Sequence, residues 1–181
     1  MSFVMPALMA AVLCISAPFA INIGPIPISL ATFVIYISIF VLGVKSAAIS
    51  TFLYLVLGMI GLPVFSEFQG GIGKLLGPTG GYLIGYIPMV LIGGGLIYLV
   101  NRYSLTGKKT VIKYILYFLS LVVATAALYV LGTAWFMIST GNGLLPSLSL
   151  CVIPFIPGDL IKIVVAISAG KGIRELINRQ S

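Results

Sequence analysis

The stretch YILYFLSLVVATAALYVLGTAWFMI, residues 114–138, carries no charged residue over 25 positions. As a helix it would extend about 37 Å at roughly 1.5 Å per residue, more than the hydrocarbon core of a bilayer, about 30 Å thick. Backbone polar groups in lipid must be satisfied within the segment, so this stretch is expected to be a membrane-spanning helix. The same reading extends to both sides of it. Apolar runs cover about Phe3–Ile23, Ile28–Val44, Ala47–Leu62 and Gly80–Val100 before it, and about Leu148–Ala169 after it. The last of these is interrupted by Pro154 and Pro157. The expected fold is an all-α membrane protein of six transmembrane helices, forming one integral domain over residues 1–181. A non-helical connection, Val64 to Thr79, containing Gly70, Gly71, Gly73 and Gly77, joins the third and fourth spans.

Composition agrees. Of the 181 residues, 60% are hydrophobic and 7% charged, and the mean hydropathy is +1.23. A soluble domain carries roughly 25% charged residues, and one of this size leaves about a third of its chain surface in water. Lipid is therefore the expected solvent for most of this surface. No internal repeat is visible. The first run lacks the positively charged start of a cleaved signal peptide and is read as a retained span.

The basic residues orient the spans. With six spans, the termini and the 2–3 and 4–5 connections share one side. That side holds Lys45, Arg102, Lys108, Lys109, Lys113, Lys171, Arg174 and Arg179, eight of the ten Lys and Arg residues. The other side holds Lys74 alone, and Lys162 falls within a span. Both termini are thus expected in the cytoplasm, with the turn at Gly24-Pro25 and the Gly-rich loop facing outward from the cell membrane. The net charge of +7 follows from this topology and from attraction to anionic lipid. Nucleic acid is not implied.

Several chemistries are excluded. The chain has no histidine, which removes His-ligated metal and His-activated nucleophiles. Cys14 and Cys151 lie far apart in apolar surroundings, with no C-x-x-C spacing. The Gly-Lys pairs at positions 73–74, 107–108 and 170–171 lack the other elements of a nucleotide-binding P-loop. Asp159 is the sole aspartate, so an aspartyl dyad cannot form. The spans hold too few polar residues to line a channel. No enzyme activity, metal or cofactor is expected.

What remains is a binding site. Asp159 and Lys162 are the two ionisable residues inside an apolar span, spaced i and i+3 on one helical face. Intramembrane charges are costly and normally pair or bind something. Pro157 suits a first helical turn, which would put Asp159 near the positive end of the helix. The pair fits a ligand site; a packing salt bridge and a proton path are the other readings. The Gly-rich loop mixes glycines with Phe65, Phe68, Leu75 and Leu76 and reads as a lid, with Phe65, Thr79 and Gly80 as candidate ligand-facing positions. Glu67 is the loop's acid, either a ligand contact or a solvated charge. Tyr82 and Tyr86 share a face, as a ligand wall or an interfacial belt. Ala7 and Ala11 form a small-x-x-x-small step that lets a partner helix approach the first span.

The motifs Gly61-Leu62-Pro63-Val64-Phe65, Gly77-Pro78-Thr79-Gly80-Gly81-Tyr82-Leu83 and Pro154-Phe155-Ile156-Pro157-Gly158-Asp159 with Lys162, together with Gly24-Pro25-Ile26-Pro27-Ile28, resemble the BioY family. That family is the biotin-specific substrate-binding subunit of energy-coupling-factor (ECF) transporters. The resemblance covers essentially the whole chain. It implies capture of biotin from outside and association with an ECF transmembrane coupling protein and two ABC ATPases, which would account for the missing P-loop. It also implies that Asp159 and Lys162 bind ligand, that Glu67 contributes a polar contact, and that Ala7 and Ala11 dock the coupling protein. A proton-coupled solitary carrier is the alternative.

Overall fold

The first helix stops short of Pro18, whose ring removes an N–H donor and disfavours a helical residue before it. In the computed structural model, which describes residues 3–22, 26–103 and 110–180, α1 covers Val4–Ser16. The chain then extends: β1 (Ala20–Asn22) pairs antiparallel with β2 (Pro27–Ser29), with Ile21 opposite Ile28. This corrects the expectation of a purely helical fold with a first span running to Ile23. Prolines bracket the segment, and an extended pairing satisfies backbone groups that a helix could not. The turn at Gly24-Pro25 and the basic residues Lys108 and Lys109 lie outside the described residues.

The Ser29 hydroxyl accepts a hydrogen bond from the Ala31 N–H (2.9 Å) where α2 (Ala31–Leu42) begins. Gly43, at φ 77°, makes a one-residue break before α3 (Val44–Met59). Lys45 is therefore in the first turn of α3 rather than in a connecting loop. The connection from Val64 to Thr79 is not wholly irregular as expected; it contains a 3-10 turn at Ser66–Phe68 and a short helix, α4 (Ile72–Leu76). Then come α5 (Gly80–Tyr103), α6 (Thr110–Thr140), α7 (Leu144–Cys151) and α8 (Ile156–Gln180). The break between α7 and α8 contains Pro154, and the two helices meet at 46°.

α5 and α6 form the most extensive helix pair, and glycine is the reason. A Cβ at Gly81 would lie 2.2 Å from the Trp135 side chain, one at Gly85 2.8 Å from Leu128 and one at Gly93 3.0 Å from Ala124. The positions 81, 85 and 93 share one face of α5, so the two backbones approach closely, as small residues allow in membrane helices. Gly170 of α8 similarly receives Phe40 of α2. The core between the helices is filled by Leu13, Ile35, Tyr36, Tyr54, Phe65, Met89 and Leu121, all essentially inaccessible.

The protein is mostly helical and of membrane type. Among the described residues, α5 and α6 are each long and apolar enough to cross a bilayer, and the bent pair α7–α8 could form a third crossing. The helices α1, α2 and α3 are apolar but shorter, with 13, 12 and 16 residues, fewer than the roughly 20 that a spanning helix needs.

Candidate functional site

The first turn of α8 carries the chemistry. Pro157 lies in that turn, and Asp159 follows with its residue surface only 4% exposed. Lys162, three residues on, donates from Nζ to Asp159 Oδ1 at 3.1 Å. The same ammonium donates to Thr32 Oγ1 (3.1 Å) and to the Ser29 carbonyl oxygen (2.9 Å). The Thr32 hydroxyl donates to Asp159 Oδ1 at 3.4 Å. On the far side, the Tyr129 hydroxyl of α6 donates to Asp159 Oδ2 at 2.7 Å. Both carboxylate oxygens and the ammonium are thus satisfied by neighbours from β2, α2, α6 and α8. A charge pair largely removed from water, with Asp159 buried and Lys162 partly so, persists when its remaining hydrogen-bonding capacity is filled in this way.

Tyr82 and Tyr86, one turn apart on α5, line a cavity of about 40 Å³ with Thr32, Tyr129, Asp159 and Lys162. The Tyr82 hydroxyl donates to the Cys151 carbonyl oxygen (3.2 Å) and pairs with Thr133 Oγ1 (3.1 Å). Its ring lies over Gly132, where a Cβ would come within 2.4 Å. That ring is therefore fixed in orientation. Tyr86 and Asp159 face the same cavity. Tyr129 and Asp159 also line a second, larger space of about 200 Å³ between α6 and α8, walled by Val122, Ile156, Leu160 and Ile163. Tyr129 and Asp159, joined by that hydrogen bond, thus line both spaces.

The structure thus brings together Asp159, Lys162, Tyr82 and Tyr86. The other loop positions lie elsewhere. Phe65 is fully buried, edge-on to Tyr54 with centroids 5.6 Å apart, and its ring occupies the space a side chain at Gly58 would need. Glu67 is exposed and adopts φ 65°, its N–H donating to the Pro18 carbonyl oxygen (3.0 Å) and its carboxylate 3.9 Å from Lys74. Burial pulls the Lys74 ammonium below its ordinary pKa, with Glu67 acting in the opposite direction. Thr79 lines a loop cavity with Gln69, Gly70 and Lys74. At Gly80 a Cβ would lie 1.6 Å from the Leu75 carbonyl oxygen, so glycine here permits backbone packing against α4. The Trp135 indole donates to the Gly77 carbonyl oxygen at 2.9 Å and ties the loop to α6. Ala7 and Ala11 lie on the exposed face of α1, beside exposed Val4, Leu8 and Ile15.

Thr32 and Tyr129 escaped the sequence reading. Each is one hydroxyl within a long apolar run, 127 and 30 residues from Asp159, with no local pattern to mark it. The i, i+4 spacing of Thr125 and Tyr129 on one face of α6 is the nearest available signal; Thr125 lines the α6–α8 space and bonds the Tyr36 hydroxyl at 2.7 Å.

With this geometry in view, the relatives are informative. The protein named as the probable biotin transporter BioY of Pyrococcus horikoshii is 34% identical over 161 residues, covering 89% of this chain and 88% of that protein. The biotin transporter BioY of Thermotoga maritima is 35% identical over 157 residues, covering 86% and 85%. A crystal structure of the S-component for biotin from an ECF-type ABC transporter superposes with a TM-score of 0.79 at 30% identity, covering 95% of this chain and 89% of that one. The sequence profile of the BioY family matches residues 1–179, and the chain belongs to the BioY family.

Proposed function

We propose that this chain is the biotin-binding membrane subunit of an ECF-type ABC transporter and captures biotin from outside for uptake. It is a transport subunit rather than an enzyme. The observation that carries the site assignment is the buried Asp159–Lys162 pair facing two tyrosine rings. Biotin has a carboxylate at the end of an alkyl tail and a ureido ring with two N–H donors. An ammonium suits the first, a carboxylate accepts from the second, and apolar rings suit the body between them.

In this reading Lys162 meets the biotin carboxylate, Asp159 accepts from the ureido N–H groups, and Tyr82 and Tyr86 flank the ligand. The loop bearing Phe65, Glu67, Thr79 and Gly80 covers the site. Small-molecule pockets run to roughly 300–1,000 Å³, so a cavity of about 40 Å³ must enlarge. Separation of Tyr129 from Asp159 joins it to the space between α6 and α8. All six apolar runs cross the cell membrane as one domain over residues 1–181, with α7 and α8 as one bent span. The irregular residues beside α1, α2 and α3 complete their crossings, and both termini face the cytoplasm. An ECF coupling protein docks on the Ala7–Ala11 face, and two ABC ATPases hydrolyse the ATP.

The test is titration of purified protein with biotin and with its neutral amide. Lys162→Met should weaken biotin by about 2–5 kcal/mol, the usual loss when one partner of a buried charged contact is removed. The amide, which has no charge to lose, should be affected far less. Equal losses for acid and amide would refute the assignment of Lys162 to the carboxylate.

A further inference from the structure

We propose that the cleft between the Gly43 break and the far end of α5 binds the phosphodiester head of an anionic lipid, with Arg102 and Asn101 as its donors. The cleft has a volume of about 420 Å³ and is lined by Ile39, Val44, Ile97, Tyr98, Asn101 and Arg102, together with Gly43 and Gly94. Gly94 shapes it, since a Cβ there would meet Val44 at 2.9 Å and force the start of α3 away from α5. The cleft is remote from the Asp159 site: Arg102 lies sixteen residues beyond Tyr86 on the same helix, or about 24 Å along the axis. That is close to the thickness of a bilayer core, so the two sites occupy opposite ends of the molecule.

The chemistry of the mouth is one-sided. The Tyr117 hydroxyl donates to Asn101 Oδ1, so the acceptor end of this amide is engaged and its NH₂ end remains available. Arg102 is exposed and makes no ion pair among the described residues. No lining residue is acidic. A guanidinium matches two phosphate oxygens at once, and the adjacent amide can reach a third. Behind these donors the wall is apolar, from Ile39, Val44 and Ile97, and it suits the start of an acyl chain rather than a hydrated ion. A basic cleft at the end of an apolar, membrane-length helix is where an anionic lipid would meet the protein.

Native mass spectrometry of the full-length protein, with palmitoyl-oleoyl phosphatidylglycerol and phosphatidylcholine in competition, tests this. The wild type should retain phosphatidylglycerol in preference. Arg102→Gln should lower its affinity about fivefold, the equivalent of about 1 kcal/mol for one basic group at a membrane surface. Asn101→Asp keeps the acceptor for Tyr117 and puts a negative charge at the mouth; it should lower affinity at least as much. Lys113→Gln, whose ammonium lies over the Tyr117 ring and outside the cleft lining, should leave the preference intact. Equal retention of phosphatidylglycerol in wild type and both cleft variants overturns the proposal. So does full competition by inorganic phosphate at matched concentration, which would mark a free-anion site. Unchanged lipid retention with lost assembly onto partner proteins would identify a protein-docking cleft and overturn it as well.

Discussion

Removing the charge of Lys162 should destabilise the ligand-free protein more than removing that of Asp159, and the two losses should not add. In Lys162→Met the stem volume is retained and the ammonium goes. Asp159, whose side chain is 6% exposed, then keeps only the long Thr32 contact and the Tyr129 bond. Stranding a buried charge in this way costs about 3–5 kcal/mol. In Asp159→Asn the lysine keeps the Ser29 carbonyl oxygen and Thr32 as acceptors, and its long stem can carry the ammonium toward water. The loss there is one charge-assisted hydrogen bond, about 1.5–3 kcal/mol. The double variant contains neither charge and should be no less stable than Lys162→Met alone, giving a coupling of at least about 1.5–3 kcal/mol, at the upper end of the range for directly contacting pairs. The assay is chemical unfolding in detergent without biotin, for the wild type and all three variants. Losses that add to within about 0.5 kcal/mol, or a larger loss for Asp159→Asn, would refute the reasoning.

Tyr129→Phe removes the 2.7 Å bond to Asp159 and should lower stability by about 1.5–3 kcal/mol; if Tyr129 must separate from Asp159 for biotin to enter, as proposed, stopped-flow binding should show faster biotin association, and unchanged or slower association would refute that role. The Tyr54 hydroxyl is buried with no hydrogen-bond partner among the described residues, so Tyr54→Phe should leave thermal stability unchanged or raise it by about 1 kcal/mol, whereas a loss would reveal a partner. Ala7→Trp and Ala11→Trp enlarge an exposed helix face and should block copurification with the coupling subunit while leaving biotin affinity of the isolated chain intact; intact assembly with both residues enlarged would remove the interface assignment.

Membrane character was readable along the chain because hydropathy is a local sum, and a long uncharged run such as residues 114–138 has few alternatives in water. The candidate pair was readable for a similar reason: Asp159 and Lys162 conflict with their apolar surroundings and are close neighbours on one helix. The β1–β2 pairing and the early end of α1 were not, since apolar residues satisfy a short strand and a helix equally well and Pro18 alone does not say which follows. The Gly77-Pro78-Thr79-Gly80-Gly81 motif shows the same limit. Glycine permits close approach but does not name the partner, and here Gly80 and Gly81 approach Leu75 and Trp135.

Residue types and their order along the chain thus dictate apolar helices and set one opposite-charge pair, Asp159 and Lys162, within an apolar run, because each follows from the transfer energy of a residue and its near neighbours. The partners of that pair required the fold. Thr32, Tyr129 and the Ser29 carbonyl oxygen reach Asp159 and Lys162 from 127, 30 and 133 residues away, and only helix packing determines which hydroxyl of many meets a charge. The glycine face of α5 draws in α6 and with it Tyr129, while Gly170 admits Phe40 and seats α2, with Thr32, against α8. Close packing of small residues is a property of two surfaces together, so glycines in one segment permit the approach without naming the segment that makes it.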